Sequence, residues 1–377
     1  MFKTILFDID GVLLSEERYF DATALTVYEL IYSSNYLGLK PELFASQPSE
    51  EQIRKIRSLV FDNDHVLHFM KSRGINANWD MVYLAFSYQL ILLLEPLAKT
   101  HKDVIKNFLH GNISLKDLQT LGQLVKSLDI NAEPDFPAFI HDFKKGNATK
   151  QALMTYLNDI VKDKIGLSTS QFSRNSSLWR ICEKAFQEWY LGDEKFIQDE
   201  GIQPVQAGKP GFLSSEIPIV EPAHLQRLFQ SLKDKGIKLG IGTGRPDIET
   251  IEPLASIGVL EYFNRSCIST ATDVLKAEEE HPERSPLAKP QPFTYIAALL
   301  GKKCSDPDVL NHPLPIENGR DILIVGDSVA DYYASQSMGC TFAAVLTGLS
   351  GQAARSEFEA LRTDYILNNV MELLNIV

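Results

Sequence analysis

The stretch FDIDGVLL, residues 7–14, sets two carboxylates, Asp8 and Asp10, two positions apart inside an apolar run close to the N-terminus. Asp10 has an ordinary reading, because Asp-Gly is a common turn dipeptide and Gly11 follows it. That reading leaves Asp8 unexplained. Asp8 closes the apolar segment KTILFD at residues 3–8, which reads as a buried strand leaving a sheet at Gly11. Two neighbouring carboxylates that must coexist share a cation or divide into a charged and a protonated member. Both arrangements are useful in catalysis, so the pair is a candidate site as well as a strand end.

Two later segments share this grammar of apolar run, glycine-containing polar turn and helix-like stretch: IKLGIGTGRP (237–246) and DILIVGDSVAD (321–331). TFAAVL (341–346) and DYIL (364–367) read as further strands. Strands alternating with helices at this spacing need parallel crossovers, which predicts an α/β fold with a Rossmann-like, doubly wound parallel sheet. Residues 16–215 differ in character. Helical periodicity in EERYFDATALTVYELIYSS and SLWRICEKAFQEWYL, with few β-branched runs, predicts a large, mainly helical domain inserted after the first strand. Pro and Gly gather at 201–222 and mark the return linker. The expected division is a discontinuous core of 1–15 and 216–377 with a helical insert of 16–215.

A chain of 377 residues exceeds one ordinary domain, and a hydrophobic fraction of 44% allows a sizeable core. With 37 Lys and Arg against 49 Asp and Glu, the net charge of −12 repels nucleic-acid phosphates and anionic membrane surfaces. Neither nucleic acid nor membrane is an expected partner. Cys182, Cys267, Cys304 and Cys340 lie far apart without a CxxC pair or zinc-ligand spacing, and read as reduced thiols of a cytoplasmic protein. The start MFKTILFDID turns acidic where a signal peptide would still be apolar, so no secretory leader is expected. The run MVYLAFSYQLILLL, 81–94, is shorter than a bilayer span and is expected to be a buried helix closed by Glu95 and Pro96.

In an open parallel sheet, ligands bind outside the carboxyl ends of the strands, so the residues just past each strand are the candidates. Thr243 and Gly244 lie in GTGRP, where a hydroxyl and backbone N–H groups at a helix start can hold a phosphate. The alternative is a plain turn, with Pro246 suited to a first helical turn and Asp247 and Glu249 to its dipole. Ser328 and Asp331 have the spacing of a capping box, which accounts for Asp331 and not for Asp327. A second strand-end carboxylate facing the first pair would complete an oxygen-rich magnesium site. Lys289, before Pro290, is either a solvated lysine or a point charge that offsets the carboxylates and binds phosphate.

These four segments, in this order, resemble the haloacid dehalogenase superfamily. The first motif appears as Asp8-Ile9-Asp10-Gly11-Val12, the second as Thr243 in IGTGRP, the third as Lys289 in KPQP, and the fourth, GDSxxD, as Asp327 and Asp331. The resemblance implies Mg2+-dependent phosphoryl transfer through an aspartyl-phosphate, with Asp8 as nucleophile and Asp10 as acid and base. It implies Thr243, Gly244 and Lys289 as phosphate-binding residues and Asp8, Asp10, Asp327 and Asp331 as the metal-binding set, Asp10 through its backbone carbonyl. A carboxylate at position 10 favours phosphate monoesters, because dehalogenating and phosphonate-cleaving relatives lack it. The interval of 233 positions from Asp10 to Thr243 places the family's cap domain there. That cap is expected to close over the site, with Arg18 and Lys209 near its hinges read as surface charges or substrate contacts and the aromatic residues of SLWRICEKAFQEWYL as its core.

The expectation that follows is a phosphatase acting on a small phosphorylated metabolite. A phosphomutase of the β-phosphoglucomutase type, whose first motif also reads DxDGV, is the alternative within enzymes. A non-catalytic binding or regulatory protein on the same fold is the alternative outside them. The oligomeric state is not legible.

Overall fold

Strand β1, Thr4–Phe7, is buried along its whole length, and its pleat sends Ile5 and Phe7 into one apolar layer and Leu6 into another. The same alternation recurs in β4, Ile322–Gly326, where Leu323 and Val325 join Phe7 while Ile324 joins Leu6. A sheet that buries both faces needs helices on both, which is why these strands read as unbroken apolar runs. In this computed structural model, residues 2–75, 77–128, 130, 133–302 and 304–377 are described.

The remaining strands are β2 (Lys238–Gly242), β3 (Ile268–Ser269), β5 (Thr341–Val345) and β6 (Tyr365–Leu367). All neighbours pair parallel, in the order β3-β2-β1-β4-β5-β6. This is the Rossmann-like doubly wound order. The chain builds outward from β1 through β2 to β3 and then restarts on the other side of β1 with β4. The resulting switch point lies between β1 and β4, so the carboxyl ends of these two strands border the crevice where such sheets bind ligands. Strand β3 has no counterpart among the expected strands, because two residues carry no periodicity.

Two compact units divide the chain: Met1–Glu17 with Leu213–Val377, and Arg18–Phe212. In the first, the segment after β1 makes a tight turn in which the amides of Val12, Leu13 and Leu14 all donate to the Ile9 carbonyl, at 3.1, 2.8 and 3.0 Å. Leu13 and Ser15 then pair with Ile219 and Ile217.

The second unit is helical. The long, buried helix Asn78–Ala98 packs against Ser177–Glu200 and Ala152–Ile165. This helix runs on through Glu95 and Pro96 instead of stopping there. Leu93, Leu94 and Leu97 stay buried across the proline, so packing holds the final turn despite its lost backbone bond. At 21 residues it is long and apolar enough to cross a membrane, and 78% of its most apolar stretch is buried inside the protein.

Two charged residues of this unit are neither surface groups nor candidates for contact with a ligand. The Lys209 ammonium is fully buried between Glu29, at 2.9 Å, and Glu188, at 2.6 Å, and sits over the Trp189 ring. Arg18 is paired with Glu50 and Asp21 and lies over Phe212. Apart from Asp21, one turn on in Arg18's own helix, the acidic partners come from other elements that no local pattern announces. The aromatic residues Trp179, Phe186, Trp189 and Tyr190 are core.

Candidate active site

Each strand that borders the switch point delivers a carboxylate one residue past its end. Asp8 follows β1 and donates its own amide to the Val325 carbonyl of β4 at 2.9 Å, and Asp327 follows β4. Thr243 follows β2 on the other flank, where its amide donates to the Ser269 carbonyl of β3 at 3.0 Å. The parallel register of Phe7 with Ile241 and Val325 brings these three ends level.

Asp8 is buried, and the Ile9 amide donates to its Oδ1 at 2.8 Å while the Lys289 ammonium approaches the same oxygen at 2.9 Å. Both anchors fall on Oδ1 and together orient the carboxylate. Lys289 also reaches Asp331 Oδ1 at 2.8 Å and lies over the Tyr295 ring at 4.8 Å. Asp331 sits in the first turn of helix Val329–Met338 and serves two purposes. Its Oδ2 accepts from the Ser328 amide and hydroxyl, closing the capping box, while its Oδ1 accepts from the Tyr295 hydroxyl at 2.8 Å as well as facing Lys289. Asp331 therefore caps its helix with one oxygen and faces Lys289 and Tyr295 with the other.

One oxygen from each of Asp8, Asp327 and Asp331 lies within 4.8 Å of the others. Desolvation by burial raises the Asp8 carboxyl to about 7; Lys289 opposes the rise, while Asp331 and Asp10 add to it. Asp327 is pushed well above the usual carboxylate range by desolvation first, then by Asp331, Asp8, Glu16 and Asp10. Burial works to lower Lys289, but Asp331 and Asp8 outweigh it and hold the ammonium above its ordinary range. This is a charge deficit: a crowd of carboxylates around one ammonium. A hard divalent cation, which takes carboxylate oxygens, fits that donor set.

The Asp10 carboxylate stands apart from this cluster. Its Oδ1 accepts from Arg245 Nε at 2.9 Å and Nη2 at 2.6 Å. The Arg245 amide donates to Thr243 Oγ1 at 3.2 Å, which occupies the hydroxyl's acceptor side and leaves its hydrogen to donate elsewhere. A Cβ at Gly244 would meet nothing within 4 Å, so the backbone beside Thr243 faces open space. Gly11, in a left-handed conformation at φ +66°, and Gly348 both press on Asp327: a Cβ would fall 2.3 Å from its Oδ2 at Gly11 and 1.9 Å at Gly348. The Thr347 hydroxyl donates to the Gly11 carbonyl and ties the two glycine segments together.

Arg245, Tyr295, Glu16, Thr347 and Gly348 were not singled out by sequence reasoning. Only Arg245 had a local signal, its place two residues past Thr243. The others meet the site through contacts between segments remote in the chain.

Comparison with known proteins agrees with this architecture. The HAD-hydrolase-like family profile matches residues 286–373, which include Lys289, Asp327 and Asp331. A phosphoglycolate phosphatase of Neisseria meningitidis serogroup A is 28% identical over 142 residues, covering 38% of this chain and 49% of that protein. A phosphoglycolate phosphatase of Neisseria gonorrhoeae is 26% identical over the same coverage. This chain thus spans about half the length of the curated relatives it matches. An X-ray structure from the Northeast Structural Genomics Consortium is 36% identical, with a TM-score of 0.89 over 99% of this chain and 98% of that one. The Rossmann-like sheet with its strand-end carboxylates and the matched profile define the class: residues 286–373 are HAD-hydrolase-like.

Proposed function

We propose that the protein is a Mg2+-dependent phosphatase that hydrolyses a small phosphate monoester through an aspartyl-phosphate on Asp8. The observation that carries the reading is the grouping of Asp8, Asp327 and Asp331 at the switch point of the sheet, with the Lys289 ammonium between Asp8 and Asp331. Bound there, Mg2+ would supply charge neutralisation and polarise the phosphoryl oxygens. Asp8 and Asp327 would hold it. Asp331, with both oxygens already engaged, would act by fixing Lys289.

Oδ2 of Asp8, which takes neither anchoring bond, attacks phosphorus while the P–O bond to the substrate breaks. Asp10 gives the departing oxygen its proton. Lys289 and the Thr243 hydroxyl hold the phosphoryl oxygens, with the Gly244 backbone beside them. Asp10, now a carboxylate, takes a proton from water, the water oxygen attacks phosphorus, and the bond to Asp8 breaks to release phosphate. The net change is one water consumed and one alcohol and one phosphate released.

Phosphoglycolate, named for the Neisseria relatives, heads the substrate panel, followed by sugar phosphates, nucleotides and p-nitrophenyl phosphate. Phosphate release should need a divalent metal and should vanish in Asp8→Asn. Folded wild-type protein that stays silent on the whole panel with every divalent metal, or an Asp8→Asn variant of full activity, contradicts the proposal. Isomerisation of a sugar phosphate without phosphate release would assign the mutase chemistry instead.

A further inference from the structure

We infer that Arg245 is a positioning residue that holds Asp10 for proton transfer to the departing oxygen, with Glu216 holding Arg245 in turn. The inference rests on the phosphatase reading and goes beyond the four motifs.

The geometry is asymmetric. The Asp10 side chain keeps 27% of its surface exposed, whereas the Arg245 side chain keeps 1% and that of Glu216 none. Asp10 can meet a substrate; Arg245 is too deep to do so. Two guanidinium donors, Nε and Nη2, converge on one Asp10 oxygen, while Nη1 donates to Glu216 Oε1 at 2.8 Å and to the Glu249 carbonyl at 3.2 Å. The Arg245 main chain is also fixed, its amide on Thr243 Oγ1 and its carbonyl accepting from the Ala271 amide at 2.8 Å. A planar fork held at its base and its tip sets the direction of the Asp10 carboxyl, which a flexible point charge cannot do.

Glu216 comes from the segment that returns to the core, next to the Ile217 carbonyl that accepts from Ser15. The chain on which Asp10 lies and the chain that anchors Arg245 are therefore neighbours although more than 200 residues apart in sequence. No local pattern relates them. The arrangement serves the reaction because the proton must arrive at the leaving oxygen along one direction, and Asp10 on its own has two side-chain torsions free to miss it.

A test follows from leaving-group chemistry. An alkoxide cannot depart without a proton, whereas p-nitrophenolate can. Arg245→Lys keeps the charge beside Glu216 and removes the fork, and should lower kcat/KM for glycerol 2-phosphate by about 100-fold, the scale of general acid catalysis. For p-nitrophenyl phosphate it should lower kcat/KM by no more than about 3-fold, since that ester does not draw on this acid. Asp10→Asn should show the same selectivity, and the two changes combined should add no further selectivity, as expected for residues acting as one unit. Glu216→Gln, which keeps Arg245 and its fork, should shift activity in the same direction by a smaller factor; it carries the test if Arg245→Lys does not fold by thermal melting. Equal losses on both esters in the folded variants, or no loss on either, overturn the inference and leave the phosphatase reading intact. Wild-type protein silent on both esters overturns that reading and the inference with it.

Discussion

Replacing Gly348 with alanine should disable the site while sparing the fold. The backbone of Gly348 lies outside the left-handed region, so alanine meets no conformational penalty there. Its Cβ, however, would sit 1.9 Å from Asp327 Oδ2, 2.8 Å from Cγ and 3.1 Å from Cβ. A carbon and an oxygen that are not bonded keep at least about 3 Å apart, so the carboxylate oxygen must retreat by roughly 1 Å. Gly11 crowds the same oxygen, since a methyl added there would come within 2.3 Å of it. A 1 Å misplacement in a reacting constellation costs on the order of 100-fold in rate, equivalent to about 2.7 kcal/mol of transition-state stabilisation. The assay is kcat/KM for p-nitrophenyl phosphate across a Mg2+ titration, with thermal melting alongside. The variant should lose about 100-fold in kcat/KM, need more Mg2+ for half its maximal rate, and melt close to wild type. Unchanged kcat/KM with an unchanged Mg2+ requirement refutes the reasoning, because Asp327 would then tolerate displacement and could not be a metal ligand.

Three other outcomes follow from the buried charges. Lys289→Met removes the ammonium that bridges Asp8 and Asp331 and should destabilise the metal-free protein by about 3–5 kcal/mol. Its melting temperature should rise with Mg2+ by more than that of wild type, and equal responses contradict the assignment. In the helical unit, desolvation holds the Glu29 carboxyl at about 7 against an ordinary 4.5, with Lys209 opposing the rise. Because the folded state binds this proton more tightly, its contribution to stability is fully present below about pH 4.5 and is lost as the pH rises through about 7, worth roughly 3 kcal/mol in all. Glu29→Gln should flatten the stability profile between pH 5 and pH 8 in urea denaturation followed by tryptophan fluorescence, since Trp189 donates to Glu29; parallel profiles would sink the idea. Lys209→Met should cost about 3–5 kcal/mol, and more at pH 8 than at pH 5, because it leaves Glu29 and Glu188 buried without their cation. A loss independent of pH would place the cost in packing alone.

The sheet was legible because its strands are buried on both faces and so stand out as short apolar runs closed by glycine and a polar residue. The carboxyl ends of β1, β2 and β4 were legible for the same reason, and parallel register does the rest by bringing such ends level. β3 escaped because a two-residue strand has no pattern, and helix Asn78–Ala98 overran its expected stop because burial of Leu97 outweighed Pro96. Charges were the least legible feature. Lys209 and Arg18 read as surface groups, yet Glu29 and Glu188 bury one, and Glu50 from another helix and Asp21 from its own largely enclose the other. Arg245 stood in plain view beside Thr243, but its meaning depends on Asp10 and Glu216, which lie 235 and 29 residues away. Gly348 shows the same limit in steric form, since what demands a glycine there is the carboxylate of Asp327.

The central claim is that Asp8 carries the phosphoryl group between substrate and water. Stopping the reaction in its steady state and reducing it with borohydride would convert an acyl phosphate at this position to homoserine, which peptide mass spectrometry locates. The account predicts homoserine at position 8 only when substrate and Mg2+ are both present. Sustained turnover with Asp8 unmodified, and the reduced residue found elsewhere or nowhere, would contradict it.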